Sequence, residues 1–249
     1  MGWRVWCVGL GLSACAQTAQ RTEIGETEVI TVRRAFANVH FVRQGDAAIL
    51  VDAGFDEEAD GTLEMLEREG ADLGAVGAVV ITHGHHDHAG GGAAIRDALG
   101  VPLIGGAGDV GMFRTGELEG TLCPTDGIAE RRLEASTEGT FTPFEPDVLV
   151  DGELDLAAYG MNGRVVSLPG HTEGSLVVVA GEAVLVGDLL RGSVTGRKAH
   201  THFYMCDLED NAGDVSALLD DIAPAATTVF PGHFGPLRRE AVEGWLEGL

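Results

Sequence analysis

Basic side chains are what this chain lacks. Lysine and arginine together number 16 against 39 aspartates and glutamates, a formal net charge of −23, and Lys198 is the only lysine. A surface of that sign repels phosphate backbones, so no nucleic acid is expected as a partner. Acidity alone also maintains solubility and names no substrate. Cysteine is scarce as well: Cys7, Cys15, Cys123 and Cys206 are the whole set. Cys123 and Cys206 do not have metal-ligand spacing, which argues against a thiolate site. There is no internal repeat at solenoid periods and no low-complexity segment. What remains is ordinary for a folded globular chain, with 45% hydrophobic and 22% charged residues. At 249 residues it can bury a substantial core, as one large domain or two small ones.

The N-terminus reads as a processing segment. Met1-Gly2-Trp3-Arg4 carries one positive charge, residues 5–12 are apolar, and the small residues Ser13 and Ala14 follow. That order fits a secretory signal, and the apolar run is too short to span a membrane. Leu12-Ser13-Ala14-Cys15 resembles the lipobox of bacterial lipoproteins, which implies cleavage before Cys15 and acylation of it. Cleavage at Ala14-Cys15-Ala16 without a lipid is the other reading. The expected organisation is therefore 1–14 signal peptide, 15–27 polar tether and 28–249 folded domain. The chain is then exported, periplasmic or anchored at the outer membrane, and touches a membrane only through a lipid on Cys15. With residues 1–14 removed and Cys15 acylated, Cys123 and Cys206 are the thiols left. They can pair or stay as separate buried thiols.

Along the domain, residues 28–33, 37–44 and 47–52 read as strands, with a hairpin turn at Gly45-Asp46. Residues 56–70 read as a surface helix, 75–81 as a strand, 93–99 as a helix and 101–104 as a strand, an α/β alternation. A helix is expected over 108–114, and 117–146 reads as a long Gly-, Thr-, Pro- and Glu-rich loop. Strands follow at 148–150, 153–156, 164–168, 175–180, 183–186 and 227–230, with helices at 211–222 and 237–246.

The chemistry concentrates in Ile81-Thr82-His83-Gly84-His85-His86-Asp87-His88-Ala89-Gly90. Four histidines and an aspartate fall within six consecutive positions behind the apolar run 78–81. On extended backbone His83 and His85 project to the same side. Imidazole and carboxylate together suit zinc or a similar divalent ion. A loop that is merely rich in histidine is the bland alternative, and this density at a strand end weighs against it. Three further positions repeat the pattern of apolar strand, glycine turn and metal-competent side chain: His171 after 165–168, Asp188 after 184–186, and His233 after 228–230. Each is weak alone, and a lone His after Pro-Gly is more often a turn residue. Together with the cluster they are strong.

With these residues in place the chain resembles the metallo-β-lactamase fold superfamily. The signature His-x-His-x-Asp-His stands as His83, His85, Asp87 and His88, joined by His171 in Pro-Gly-His-Thr-Glu-Gly-Ser, Asp188 in Val-Gly-Asp and His233 in Pro-Gly-His. The resemblance implies a four-layer αββα sandwich and two divalent ions, zinc first, with manganese or iron as alternatives. It implies that His83, His85 and His171 hold one ion, that Asp87, His88 and His233 hold the second, and that Asp188 bridges them. His86 occupies the variable position and is left out. Catalysis would rest on Asp87, which orients a metal-bridging hydroxide, and on Asp188.

Asp188 also discriminates between branches. True metallo-β-lactamases lack this carboxylate, whereas branches resembling glyoxalase II, acyl-homoserine lactonases and tRNA 3′ nucleases have it. The acidic surface and export argue against the nuclease. A flavodiiron reductase would show Glu in place of His85, and an iron persulfide dioxygenase stays open. Only a short acidic helix follows His233, so glutathione thioesters are not favoured. His200, His202 and Tyr204, in the loop after Asp188, are candidates to touch substrate or protonate a leaving group, with packing or facing solvent as the bland alternative. His40, inside a strand, reads as structural. The expected function is an exported dinuclear hydrolase of a small ester, lactone, thioester or phosphoester. A β-lactamase and a non-catalytic metal-binding surface lipoprotein are the alternatives. Substrate and oligomeric state stay open.

Overall fold

The computed structural model describes residues 17–118, 120, 122–135 and 139–249. The expected signal peptide and Cys15 fall outside them. Two sheets face each other. The first runs in sequence order: β1 (Thr18–Ile24), β2 (Thr27–Arg34), β3 (Ala37–Gln44), β4 (Ala47–Val51), β5 (Val76–Val80), β6 (Leu103–Gly106) and β7 (Val148–Val150). The second comprises β8 (Glu153–Asp155), β9 (Gly163–Ser167), β10 (Leu176–Ala180), β11 (Ala183–Gly187), β14 (Thr228–Pro231) and β15 (Leu237–Arg238), in the order β15-β14-β11-β10-β9-β8. A two-stranded ribbon, β12 (Arg191–Gly192) with β13 (Ala199–His200), lies outside both.

Several central strands carry nearly unbroken apolar runs because both of their faces are covered. In β10, Val178 and Ala180 point into the core between the sheets, with Val29, Ile49, Val80, Leu185 and Phe230. Its Val177 points the other way, into a core shared with Val215 of α6 (Leu208–Ala217) and Val242 of α7 (Arg239–Leu246). On the far side of the first sheet, Ile30, Phe41, Leu50 and Val79 pack against Leu66 of α1 (Asp60–Arg68), Ile95 of α3 (Gly92–Leu99) and Phe113 of α4 (Val110–Thr115). Helix, sheet, sheet and helix make the expected four-layer αββα sandwich. The short α2 (His86–Ala89) follows the C-terminal end of the central strand β5.

Two expectations need correction. The 15–27 tether is not one where it is described, because Thr18–Ile24 is a strand paired residue for residue with β2, from Thr18↔Arg33 to Ile24↔Thr27. It is an edge strand, so only one side of its backbone has a strand partner. Its largely polar sequence suits that exposed position. Within the expected 117–146 loop lies the helix α5 (Gly127–Ala135), whose Ile128 and Ala129 amides both donate to Asp126 Oδ1 at 2.8 Å.

Strand direction positions the site. β4, β5 and β6 run parallel to one another. In the second sheet β9 and β11 each run antiparallel to β10, and β14 runs parallel to β11, so β9, β11 and β14 point the same way. The C-terminal ends of both sets meet at one rim of the sandwich. Among the described residues no helix is long and apolar enough to cross a membrane.

Candidate metal centre

At that rim the chain leaves β5 through Thr82 and turns into the cluster. His85 stays extended (φ −74°, ψ 146°) and caps α2, which carries Asp87 and His88 inward. β9 leads to His171, β11 to Asp188 and β14 to His233. Gly232 is required here by space. A Cβ on it would stand 2.4 Å from both Asp188 Oδ1 and His88 Cε1.

All seven expected ligand residues are buried and converge. Asp188 Oδ2 lies 3.0 Å from His233 Nε2, 3.4 Å from His88 Nε2, 3.6 Å from His171 Nε2 and 3.8 Å from His83 Nε2. His171 Nε2 is 3.0 Å from His85 Nδ1, and Asp87 Oδ2 is 3.5 Å from His233 Nε2. The donor atoms of His83, His85 and His171 fall within 4.8 Å of one another, as do those of Asp87, His88 and His233, and those of His83, His88 and Asp188. Two atoms bound to one zinc at about 2.1 Å stand roughly 3.0–3.4 Å apart, so these spacings suit ligand edges.

Two further observations test the fit of a cation. His83 Nε2, His88 Nε2 and Asp188 Oδ1 are buried with no hydrogen-bond partner, a costly state unless an ion meets them. The outer ring nitrogens, in contrast, are held. His88 Nδ1 faces Asp52 Oδ2 at 2.8 Å, His171 Nδ1 the Tyr204 carbonyl at 2.7 Å, and His233 Nδ1 the Phe36 carbonyl at 3.0 Å. A proton fixed on each Nδ1 leaves the Nε2 lone pair directed at the centre. The residues fit.

Charge agrees with this. Burial, then the neighbouring imidazoles, hold His83 and His85 well below the usual histidine range, so both are neutral, the form that binds metal. Burial would also lower His88 and His233, but Asp188 and Asp87, with Asp52 at His88, raise both. Burial would raise Asp188, yet His202, His233 and His88 hold it well below the usual carboxylate range. Buried carboxylates thus demand positive charge at this point, from protons or from divalent cations.

The Metallo-beta-lactamase superfamily sequence model matches residues 32–233, a span that contains every one of these side chains. The chain belongs to the metallo-beta-lactamase superfamily. It is 28% identical over 202 residues to the Beta-lactamase-like protein 2 homolog of Drosophila melanogaster, covering 79% of this chain and 58% of that protein. It is 30% identical over 156 residues to a hydroxyacylglutathione hydrolase of Anaeromyxobacter dehalogenans, covering 63% of this chain and 46% of that one. The chain thus spans only about half the length of these two relatives. The solved metallo-beta-lactamase of Hirschia baltica is similar with a TM-score of 0.61 at 16% identity, covering 92% of this chain and 96% of that one, which shows a shared fold.

In this metallo-beta-lactamase superfamily chain, two aspartates that sequence reading missed support the cluster. Asp52, at the end of β4 with φ +65°, accepts the Thr82 amide and hydroxyl at 2.8 Å each as well as facing His88. Because the Thr82 hydroxyl donates to Asp52, it can accept from His83 Nδ1, 3.1 Å away. Asp109 accepts the Gly84 amide, the Gly174 amide and the Thr172 hydroxyl, each at 2.8 Å, and so ties the His83 loop to the His171 loop. The loops approach so closely that a Cβ on Gly106 would stand 1.8 Å from the Gly174 carbonyl oxygen.

The other expected residues separate. His202 is buried inside the cluster, its Nε2 3.2 Å from Asp188 Oδ2, and burial pushes its pKa down to about 3. His200 lies on β13 opposite Arg191, half-buried and outside the cluster. Tyr204 contributes its main-chain carbonyl. His86 keeps its Nδ1 buried under Gly139, where a Cβ would stand 2.3 Å from that nitrogen. His40 bonds the Thr31 hydroxyl at 2.9 Å and packs edge-on to Phe230, and burial lowers its pKa to about 4, a structural histidine as expected. Cys123 and Cys206 are joined in a disulfide.

Proposed function

We propose that this chain is a dinuclear metal-dependent hydrolase of small esters, thioesters, lactones or phosphoesters. The observation that carries the reading is the Asp188 carboxylate. One oxygen stands among the Nε2 atoms of His83, His88, His171 and His233, and the other is buried without a partner. His83, His85 and His171 would hold one ion, Asp87, His88 and His233 the other, and Asp188 both. Divalent ions there, zinc by donor chemistry with manganese or iron also accommodated, would supply an acidified water and polarise the oxygen of the scissile group.

The chain's own carboxylates divide the remaining work. The Asp87 side chain is 12% exposed and that of Asp188 is 2% exposed. Asp87 is therefore the group that can orient attacking water, take its proton and pass it outward. Asp188, enclosed by imidazoles, sets position. Phe36 lies beside this more open corner, its ring 5.6 Å from His233 and stacked 6.4 Å from Phe55, and both phenylalanines are partly exposed. Their faces offer an apolar edge to the acyl or leaving group of a substrate. The name of the Anaeromyxobacter relative supports a thioester among the candidates. Export, and a lipid at Cys15, belong to the same proposal, carried by the sequence of residues 1–16 and supported by the Cys123–Cys206 disulfide.

Metal analysis of the purified chain is expected to give two divalent ions per molecule. Chelation or His85→Ala should abolish turnover on a panel of esters, thioesters, lactones and phosphoesters, and metal should restore the chelated wild type. Turnover that survives complete metal removal would overturn the reading. A fully loaded protein that is inactive across the panel would instead favour a metal-binding role without catalysis.

A further inference from the structure

We infer that His202 is an additional metal ligand, delivered by a strap over residues 199–207 that closes one side of the centre. The inference rests on the two-ion reading above and adds to it a residue outside the expected set. His202 is buried like the others, and its donor atom lies within 4.8 Å of those of His171 and Asp188. Its ring stands edge-on to His171 at 4.8 Å and stacks on His233 at 5.1 Å with an 18° interplanar angle.

Distance decides between ligand and substrate contact. His202 Nε2 is 3.2 Å from Asp188 Oδ2, inside the 3.0–3.8 Å range of the other imidazoles about the same oxygen. A substrate atom interposed by two hydrogen bonds would hold these atoms roughly 4.5 Å or more apart. Two ligands of one ion need roughly 3.0–3.4 Å. The observed gap admits an ion's ligand edge and excludes a substrate atom.

The strap is built to hold this position. Met205 N donates to the Cys123 carbonyl at 2.7 Å and Thr125 N to the Phe203 carbonyl at 2.9 Å. The Thr125 hydroxyl donates to the His202 and Phe203 carbonyls at 3.1 and 3.0 Å, and the Cys123–Cys206 disulfide closes the same junction. Asp207 N donates to the Gly170 carbonyl at 2.8 Å, next to His171. The Tyr204 carbonyl faces His171 Nδ1 at 2.7 Å and His202 Nδ1 at 3.2 Å. One backbone oxygen can therefore take the outer proton of both rings and aim both Nε2 lone pairs at Asp188. The Tyr204 amide also reaches His202 Nδ1 at 3.3 Å, a contact that needs the other tautomer. Metal on Nε2 selects the carbonyl.

The test uses the whole chain loaded with Co(II), with histidine labelled by 15N. Imidazoles whose ring nitrogen carries a through-bond contact shift from cobalt, as opposed to the through-space shift of any nearby ring, are counted in the wild type by NMR. The inference expects six: His83, His85, His88, His171, His202 and His233. Five would overturn it while leaving the two-ion reading intact, and no cobalt bound would overturn that reading itself. Chelator competition supplies the variant arm. His202→Ala should lose at least about tenfold in affinity for one equivalent and change the Co(II) visible spectrum. His200→Ala, on the same strap but outside the cluster, should match wild type. An unchanged affinity and spectrum in His202→Ala would also overturn the inference. If His202→Ala fails to fold, the wild-type count decides alone.

Discussion

The two halves of the centre are held by different means. The half carried by the first sheet packs His83, His85, Asp87 and His88 into six residues, and carboxylate side chains brace it. Asp52 holds His88 and Thr82, and Asp109 holds the Gly84 amide. The half carried by the second sheet draws His171, Asp188 and His233 from three strand ends. Backbone carbonyls orient its imidazoles, Tyr204 for His171 and Phe36 for His233. A carboxylate partner can be removed by one substitution, whereas a carbonyl survives every substitution of its own residue. The first half should therefore be fragile to point changes in its support and the second half tolerant of them.

Asp109 offers the largest effect, because it joins the halves. It accepts three hydrogen bonds, from Gly84, Gly174 and Thr172, in a buried setting. Burial raises its pKa, the more weakly for those three donors. Asp109→Ala would strand buried donors on both loops, at a cost of about 3 kcal/mol. For a domain of this size that is a fall in Tm of roughly 6–12 °C, measured by calorimetry. A shift below roughly 2 °C would mean the loops do not depend on this residue.

Asp52→Asn sharpens the comparison within the first half. An asparagine presents one acceptor and one donor, while Asp52 accepts from the Thr82 amide on one oxygen and from His88 on the other. Whichever way the amide turns, a donor meets a donor. Where it meets His88, the proton is driven to Nε2, the nitrogen the centre needs bare. The expected loss is about 10–100-fold in affinity for the ion at Asp87, His88 and His233, read by chelator competition. Unchanged affinity would show that His88 keeps its tautomer without Asp52.

The same contrast explains what was legible in the sequence. His83, His85, Asp87 and His88 declare themselves because one strand end places them together, and His171, Asp188 and His233 each follow an apolar strand through a glycine turn. Asp52 follows Ile49-Leu50-Val51 in the same way, but its partner His88 is 36 residues off and no neighbour marks it. Asp109 is less legible still, since its role comes from Gly106 meeting Gly174 across the two sheets. β1 was hidden by the polar sequence of an edge strand. His202 was legible as a residue near the site but not as part of the cluster. Its place depends on a junction between positions 123 and 206 that no local pattern announces.

The smallest effect is expected at Tyr204, and it tests the second half directly. Tyr204→Phe removes the phenol hydroxyl and leaves the carbonyl that faces His171 at 2.7 Å. If the carbonyl orients the ring, both ions should bind within about twofold of wild type, because a substitution that spares the critical contact costs no more than about 0.5 kcal/mol. KM is the independent readout, and it rises only if the hydroxyl meets substrate. A tenfold loss of metal affinity in Tyr204→Phe would instead show that the side chain orients the centre. The division between carboxylate-braced and backbone-braced halves would then fail at its simplest point.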